Sequence, residues 1–306
     1  MTSGGDGIKR GRACAIVVTY FPENDFASRM LSIADESDAL IVWDNTPTSS
    51  SPLEVEAVGR WSKSTVLRTG ENLGIASGVN RAMSWAAEHG LEWAIMLDQD
   101  STPLAGMLQE AVNSYLEYAG EKPIAVIGAS CIDVNTGWPN RDRGLSADVD
   151  CVETATVQTS GSLVNVQTFL SLGGYREEFF IDEVDHEYCL RARATGYAVL
   201  LNNIVTMRHR LGLAQEVRTP IGTVYTFNYP AIRHYYMTRN LMTLVREYVS
   251  KEPRWILRSS ISRLKSMVKV LLFEEDKLAK LHMSCLGAWH GFFGIMCQRH
   301  QGNLTK

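Results

Sequence analysis

The sequence lacks the features that mark several specialised classes of protein. Charged residues make up only 21% of its 306 residues, and no apolar run approaches the roughly 18 residues of a membrane-spanning helix. Its six cysteines form no C-x-x-C pair, and there is no internal repeat or low-complexity tract. The net charge of −4 disfavours a nucleic-acid-binding protein. Because 45% of the residues are hydrophobic, an ordinary globular fold is expected.

The N-terminal segment and the cysteines both point to the cytoplasm. Residues 1–12 are polar and rich in glycine, without the apolar core of a secretory signal, and are predicted to be disordered. We interpret the cysteines as buried free thiols of a reducing compartment; they are Cys14, Cys131, Cys151, Cys189, Cys285 and Cys297. We therefore expect a cytoplasmic protein, at most peripheral on a membrane.

Short apolar runs alternate with helix-length segments through the first 130 residues. The runs predict strands at Ala13–Tyr20, Ala39–Asp44, Thr65–Arg68, Glu92–Asp98 and Ile124–Cys131, and the segments between predict helices at Gly74–His89 and Leu104–Ala119. This β-α-β alternation predicts an α/β fold with a mostly parallel sheet covered by helices on both faces. In such sheets a ligand binds beyond the carboxyl ends of the strands.

The second part of the chain is less regular. An irregular loop is predicted at Trp138–Val152 and a strand at Val157–Val166. A helix at Glu183–Thr195 and a short strand at Ala198–Asn202 follow. From Pro230 onward the pattern is helical.

Polar residues close four of the predicted strands or the loops that follow them. They are Thr19-Tyr20, Asp44-Asn45, the segment Gly70–Gly74, and Asp98-Gln99-Asp100. Each of them alone is more typical of a helix cap or a turn than of a ligand site. Four at one edge of a sheet favour a shared ligand.

Asp98 and Asp100 are candidate ligands of a divalent cation. Alternate strand residues point to the same side, and paired carboxylates are the ligands that Mg²⁺ or Mn²⁺ prefers. His209 follows a later strand-like run and is a candidate third ligand. The alternative is that His209 is a structural histidine.

A second acidic cluster runs from Asp182 through Glu183 and Asp185 to Glu187. Four carboxylates within six residues predict a general base near a metal-bound phosphate. The alternative is a solvated helix N-terminus, where the macrodipole favours carboxylates. The glycines of Gly70–Gly78 also permit close approach of a ligand to the backbone, although the dinucleotide-binding motif is missing.

Seven segments together resemble a known family. In order they are VVTY, VWDN, ENLGIASGVN, MLDQD, TSGSLV, GGYREEFFIDEVDHEYCLRARATGY and RHRLG. From Ala13 to Asn240 the chain resembles the family 2 glycosyltransferases, and within them the bacterial rhamnosyltransferases. The resemblance implies a GT-A fold, in which a Rossmann-like nucleotide-binding sheet joins an acceptor-side half, over residues 13–229. A C-terminal helical region, 230–306, follows.

The resemblance also implies roles for individual residues. The residues of the donor side would be Thr19 and Tyr20 in the nucleotide pocket, Asp44 on the pyrimidine base, and Asn72, Gly74, Asn80 and Gln99 along the nucleotide sugar. Asp98, Asp100 and His209 would hold Mg²⁺ or Mn²⁺ on the donor pyrophosphate, and Asp98 would also contact the nucleotide sugar. Gly161 would border the acceptor.

The general base has three candidates. Many relatives carry Glu-Asp, with the second residue as base, whereas here the order is Asp182-Glu183. Related rhamnosyltransferases resemble this chain in keeping an Asp at the first position and another three residues later. Asp182 is therefore favoured, with Glu183 and Asp185 as contenders.

The resemblance predicts an inverting, metal-dependent transfer of L-rhamnose from dTDP-L-rhamnose to a lipid-linked surface polysaccharide. The alternatives are transfer of galactofuranose, glucose or galactose, a sugar nucleotidyltransferase, or a non-catalytic module that binds nucleotide sugars. A nucleotidyltransferase would need a glycine-rich basic loop after the first strand, where this chain has Tyr20-Phe21-Pro22-Glu23.

The segment Arg233–Leu272 carries nine Lys or Arg and only two acidic residues, interleaved with apolar residues. A basic amphipathic segment of this kind predicts contact with a membrane surface. The alternative is a helical cover for the sheet with a solvated basic face.

Overall fold

A computed structural model describes residues 11–50, 52–134, 137, 139–140, 151–209, 215–219 and 222–296. Most of the predicted disordered segment 1–12 and most of the predicted loop Trp138–Val152 lie outside these ranges, as does Cys297.

Strands and helices alternate through the first half, and helices alone form the end of the described chain. The strands are β1 Ala13–Thr19, β2 Ala39–Asp44, β3 Ser64–Arg68, β4 Trp93–Asp98, β5 Ser101–Pro103, β6 Ile124–Asp133, β7 Pro139–Asn140, β8 Cys151–Glu153, β9 Ser162–Asn165, β10 Ala198–His209, β11 Gln215–Thr219 and β12 Gly222–Thr226. The helices are α1 Phe26–Glu36, α2 Leu53–Val58, α3 Gly74–Glu88, α4 Met107–Glu117, α5 Val166–Ser171, α6 Val184–Ala194, α7 Ala231–Tyr248, α8 Pro253–Phe273 and α9 Lys277–Phe293.

The central sheet has the strand order β3-β2-β1-β4-β9-β6-β10-β5. Strands β3, β2, β1 and β4 are parallel, and β6 and β10 are parallel to each other, while β9 runs antiparallel between β4 and β6. The register pairs Thr19 with Asp44 and Val18 with Asp98, so the carboxyl ends of β1, β2 and β4 meet at one edge. The predicted α/β class and mostly parallel sheet are confirmed.

Helices cover both faces of the sheet. Alternate residues of β1 point to opposite sides and therefore pack with different helices. Ala15 and Val17 pack with α1, α2 and α4 on one face. Cys14 and Ile16 pack with α3, α5 and α6 on the other. A strand buried on both faces reads as a continuous apolar run, which is why β1 is evident from the sequence.

Two predicted strands differ from the observed ones by more than two residues at an end. The strand predicted at Val157–Val166 is confined to β9, because Gly161 has a left-handed φ of +83° that interrupts extended backbone. Strand β10 continues beyond the predicted end at Asn202 to His209, with register shifts around Val205. Irregular pairing and polar residues there hide the strand from the sequence pattern.

The predicted helical end of the chain is present as α7, α8 and α9. Helix α9 packs closely on α7, since a Cβ atom at Gly287 or Gly291 would collide with the carbonyl oxygens of Tyr235 or Arg239. In the part of the chain that the structure describes, no helix is long and apolar enough to cross a membrane.

The described cysteines only partly follow the prediction of buried thiols. Cys14, Cys131 and Cys189 are buried, Cys151 is half-buried and Cys285 is exposed. All five are free thiols. Burial raises the pKa of Cys14 and of Cys189 to about 12, so both thiols stay protonated at neutral pH.

Candidate active site

The carboxyl ends of β1 and β4 open into a cleft of about 250 Å³. Its walls come from the strand ends, from the start of α3 and from the loop that precedes α6. The lining residues are Val18, Thr19, Tyr20, Asn45, Asn72, Gly74, Ile75, Asp98, Gln99, Asp100, Phe180, Ile181 and Arg233. Six residues predicted to contact the nucleotide sugar are therefore in one place: Thr19, Tyr20, Asn72, Gly74, Asp98 and Gln99.

Asp98, Asp100 and His209 lie together at one side of the cleft. Each offers one ligand atom, and these atoms are all within 4.8 Å of one another. His209 Nε2 is 3.7 Å from Asp98 Oδ2, and His209 Nδ1 is 3.5 Å from Asp100 Oδ1. Asp98 ends β4, whereas Asp100 lies in the turn that follows, so a turn rather than strand alternation brings the carboxylates together.

Neighbouring hydroxyl groups fix this trio. Antiparallel pairing of β5 with β10 sets Ser101 opposite His209, and Ser101 Oγ is 2.9 Å from His209 Nδ1. Ser101 Oγ in turn hydrogen-bonds Ser160 Oγ, which accepts from the backbone N–H of Asp98. The imidazole is thus held at one nitrogen, as is usual for a metal-binding histidine.

The electrostatics of the trio suit a cation. Burial raises the pKa of Asp98 to about 6; His209 opposes the rise, and the carboxylates of Asp100 and Asp185 add to it. Burial also raises the pKa of Asp100. A divalent cation would offset the repulsion between these carboxylates, and two carboxylates with one imidazole form a donor set that Mn²⁺ or Mg²⁺ accepts. The residues therefore fit the predicted metal.

On the nucleotide side, side chains fix the backbone of the cleft wall. Gln99 accepts a hydrogen bond from the N–H of Tyr20 at 2.7 Å and donates one to the carbonyl of Tyr20 at 3.2 Å. Asp44 is buried under the wall, where it accepts from Thr19 Oγ1 and from the N–H of Thr46. Its predicted bond to a pyrimidine base stays a prediction.

Asn45 organises the turn into α3; the sequence placed it at a polar strand end but gave no role to its side chain. Its Oδ1 accepts from the N–H of Leu73, and its Nδ2 donates to the carbonyl of Gly74. Gly74 has a φ of +83°, and a Cβ atom there would collide with Phe180. The side chain of Asn72 accepts from the N–H of Gly74. The turn therefore requires a glycine at position 74. The sequence pattern indicated a glycine here, but not the close contact with Phe180 that requires it.

Asn80 and Gly161, two of the predicted site residues outside the cleft lining, are held by packing contacts. Asn80 exchanges two hydrogen bonds of 2.8 Å with the backbone of Tyr175. Gly161 is buried, and a Cβ atom there would meet Ala129 and Met207. Packing accounts for both residues, and their predicted contacts with sugar and acceptor stay predictions.

The three candidate bases have different partners. Asp182 forms a bidentate ion pair with Arg233, with distances of 3.1 and 3.2 Å. Glu183 pairs with His186 at 2.7 Å. Asp185 accepts from the N–H of Thr159 at 2.8 Å. Asp182 is therefore the candidate whose partner lines the cleft.

Two cationic side chains, His186 and Arg233, lie beside the acidic residues of this loop. Burial lowers the pKa of His186, but Asp185 and Glu183 outweigh this effect, and the net result is a rise to about 9. Burial likewise lowers the pKa of Arg233, but the carboxylate of Asp182, with smaller effects of Tyr229 and Asp98, gives a net rise. Both side chains are cations at neutral pH and offset the acidic cluster.

Arg233 is a site residue that was not predicted from the sequence. It was counted among the basic residues that could face a membrane, but it belongs to the first turn of α7 and lies across the cleft from β1. Its guanidinium also stacks over the ring of Tyr229 at 4.0 Å. Because Arg233 is 51 residues from Asp182, no local pattern links the two.

Comparison with known proteins agrees with this geometry. The chain is 24% identical over 294 residues to the dTDP-rhamnosyl transferase RfbF of Shigella flexneri, covering 92% of this chain and 95% of that protein. No family model matches the sequence.

Solved structures of glycosyltransferases share the fold. TarS 1-349 of S. aureus in complex with UDP-GlcNAc superposes with a TM-score of 0.60 at 12% identity, covering 89% of this chain and 79% of that one. GalNAc-T7 with UDP, GalNAc and Mn²⁺ gives a TM-score of 0.58 at 11% identity, covering 94% of this chain and 57% of that one.

The chain is a glycosyltransferase of the GT-A type. The fold class, the enzyme class and the resemblance to bacterial rhamnosyltransferases are thereby confirmed.

Proposed function

We propose that this enzyme transfers L-rhamnose from dTDP-L-rhamnose to a hydroxyl group of a lipid-linked surface glycan, with inversion at the anomeric carbon. One observation carries the proposal: Asp98 and Asp100, from a trio with the geometry of a metal site, line the same cleft as Phe180 and Ile181, which directly precede the acidic cluster. A nucleotide sugar has its negative charge at the diphosphate and its reacting carbon one bond away. A site for it therefore needs a cation centre and a proton acceptor close together.

On this proposal Asp98, Asp100 and His209 hold the divalent cation. A bound cation supplies Lewis-acid stabilisation of the charge that develops on the departing nucleotide diphosphate. Backbone and side chains of Thr19, Tyr20 and Asn72 line the donor part of the cleft. The cation of Arg233 adds positive charge at the opposite wall.

The carboxylate of Asp182 is the proposed base. The acceptor oxygen forms the new bond to the anomeric carbon while the bond from that carbon to the diphosphate oxygen breaks. The proton of the acceptor hydroxyl passes to the carboxylate. Attack from the face opposite the leaving group inverts the configuration.

The donor assignment is supported by the likeness to RfbF, whose name specifies dTDP-rhamnosyl transfer. The decisive experiment is a donor panel measured by release of nucleotide diphosphate in the presence of Mg²⁺ or Mn²⁺. It compares dTDP-L-rhamnose with UDP-galactose, UDP-galactofuranose, UDP-glucose and GDP-mannose. Faster release from dTDP-L-rhamnose supports the proposal, and preference for another donor would assign a different sugar.

A lipid-linked acceptor is supported by an exposed surface of α8. Five exposed apolar residues at helical spacing form the α8 stripe, which consists of Leu257, Ile261, Leu264, Val268 and Leu271. Exposed basic residues flank it at Arg254, Arg258, Lys265 and Lys269, and α8 contains no acidic residue. Apolar and basic residues side by side suit the headgroup region of an anionic membrane. We propose that α8 brings the enzyme to its acceptor at such a surface.

A further inference from the structure

Asn240, in the middle of α7, contacts the loop of the proposed base through its side chain. The residue is completely buried. Its Nδ2 donates hydrogen bonds to the carbonyl oxygens of Phe179, Ile181 and Asp182, at 3.0, 2.9 and 2.8 Å. An amide group has two hydrogens, so one of them is shared between two carbonyl groups. Three backbone positions of one loop are thus held by a single side chain.

The backbone of this loop needs external support. Phe180, Asp182 and Glu183 have left-handed φ angles of 63°, 62° and 60°. Each such conformation is unfavourable for a non-glycine residue and persists only where the surroundings stabilise it. The conformation turns three carbonyl groups toward α7, where they need hydrogen-bond donors. Asn240 supplies them.

Arg239 determines which way the Asn240 amide faces. Its guanidinium is buried and donates to Asn240 Oδ1 from two nitrogens, at 2.7 and 3.0 Å. Because a guanidinium has only donors, the amide oxygen must face it and the amide nitrogen must face the loop. Arg239 also donates to the carbonyl oxygens of Glu178 and Phe179 and lies over the ring of Tyr236.

Arg233 holds the other end of Asp182. It lies seven residues, or two helical turns, before Asn240, so the two side chains leave α7 on the same face. Arg233 binds the carboxylate of Asp182, and Asn240 binds its carbonyl group. One face of α7 therefore fixes both the backbone and the side chain of this residue.

We propose that Asn240, oriented by Arg239, is a positioning residue that sets the place of the base in the cleft. The inference rests on the proposed function, in which a carboxylate of this loop takes the acceptor proton. Loss of the three hydrogen bonds frees the loop without removing a group that binds the donor. Misplacing a reacting group by about 1 Å can cost on the order of 10²-fold in rate.

The test uses the full-length Asn240→Leu variant, which keeps the side-chain volume but has no donor. We expect kcat to fall about 10²-fold, with dTDP affinity within about threefold of wild type by calorimetry. Asn240→Gln, which keeps the amide, should recover part of the loss. The matched control is Thr243→Val, another buried position of α7, whose hydroxyl bonds the carbonyl of Arg239 and not the loop.

A double-mutant cycle separates positioning from a general loss of stability. If Asn240 acts through the base, Asn240→Leu should change the residual rate of Asp182→Asn by less than about threefold, because the effects of residues that act as a unit do not add. If the rate losses of Asn240→Leu and Asp182→Asn multiply fully in the double variant, the inference is overturned. If Asp182→Asn remains active, the same cycle is run with Glu183→Gln and with Asp185→Asn. If the loss caused by Asn240→Leu multiplies with the loss caused by each of the three carboxylate variants, the inference is overturned.

A second measurement does not depend on activity. Backbone amides of residues 178–183 should exchange hydrogen faster in Asn240→Leu than in wild type or Thr243→Val. Unchanged exchange there would overturn the inference even if activity falls. If no donor of the panel releases nucleotide diphosphate with the wild-type enzyme, the proposed function fails, while the exchange result still decides whether Asn240 holds the loop.

Discussion

The guanidinium of Arg233 binds both carboxylate oxygens of Asp182, at 3.1 and 3.2 Å. The pair joins the first turn of α7 to the loop before α6, two elements far apart in the sequence. Because Arg233 also lines the cleft beside Asp98 and Asp100, the proposed base and the proposed donor site share one cation.

Replacement of Arg233 should therefore affect donor binding and turnover together. Arg233→Gln removes a cation from the cleft and leaves Asp182 without its bidentate partner, so we expect kcat/KM for the donor to fall at least tenfold. Arg233→Lys should lie between this variant and wild type, because lysine keeps the charge but cannot form the two parallel bonds. Steady-state kinetics measure both. Equal activity of Arg233→Gln and wild type would contradict a role for the pair.

The base itself is tested by isosteric amides. Asp182→Asn should lower turnover by about 10²–10⁴-fold, the usual contribution of a positioned general base, with donor affinity retained. Glu183→Gln and Asp185→Asn are measured beside it. If Glu183→Gln alone is inactive, the base is Glu183. If all three variants lose donor binding, the cluster is structural.

The metal trio is tested by calorimetry with dTDP and Mg²⁺. Asp98→Ala or Asp100→Ala should abolish the metal-dependent part of dTDP binding, because the pyrophosphate loses its counter-ion. His209→Ala should show a smaller loss. Asp35→Ala, which removes an exposed carboxylate of α1, is the control and should bind as wild type does. Full metal dependence in both aspartate variants would exclude this site.

Stability should depend on pH through His186. Its pKa rises from about 6.5 to about 9 in the folded protein. The attraction of Asp185 and Glu183 for the His186 cation therefore contributes fully below about pH 6.5, and this contribution is lost as the pH rises through 9. Because the His186 side chain is 35% exposed, solvent screening keeps the effect small.

Urea unfolding at pH 6.5 and pH 9 measures this contribution. The free energy of unfolding should decrease from pH 6.5 to pH 9, and this decrease should be smaller in His186→Gln than in wild type. His282→Gln, at an exposed position of α9, should retain the wild-type decrease. A wild-type-like decrease in His186→Gln would show that other groups cause it.

Membrane binding of the α8 stripe is tested by flotation with vesicles that contain anionic lipid. Each basic residue near the surface adds roughly 1 kcal/mol, so the double variant Arg258→Glu, Lys265→Glu should bind much less, and wild-type binding should fall as salt rises. Arg60→Glu, at an exposed position beside β3, is the charge control. Binding that is independent of both the salt concentration and the lipid charge would contradict this mechanism.

The cleft wall was predictable because its signals are local. Thr19 and Asp98 each close an apolar run, and parallel pairing places such ends together without further information. The glycine at position 74 was predictable from its place between a strand and a helix. His209 was identified by its position in the chain, although the strand that carries it was predicted to end earlier.

The opposite wall was not predictable, because it depends on tertiary contacts of a helix. Arg233, Arg239 and Arg263 counted equally with the surface residues in the basic segment. Arg239 is buried, and Arg263 hydrogen-bonds Thr238 and the carbonyl of His234. Burial of a guanidinium against carbonyl groups leaves no periodic pattern. A sequence shows that a helix is basic but not which of its charges point inward.

The position of Asn240 bears on how this protein can be divided or recombined. A chain shortened after residue 229 would keep every strand of the central sheet and all three side chains of the proposed metal site. It would lack both groups of α7 that hold Asp182. Exchange of the C-terminal helices between related enzymes would also remove these contacts with Asp182, unless α7 and the loop that it supports were exchanged together. Substitutions confined to the surfaces of α8 and α9 that do not contact α7 would leave these supports of Asp182 intact.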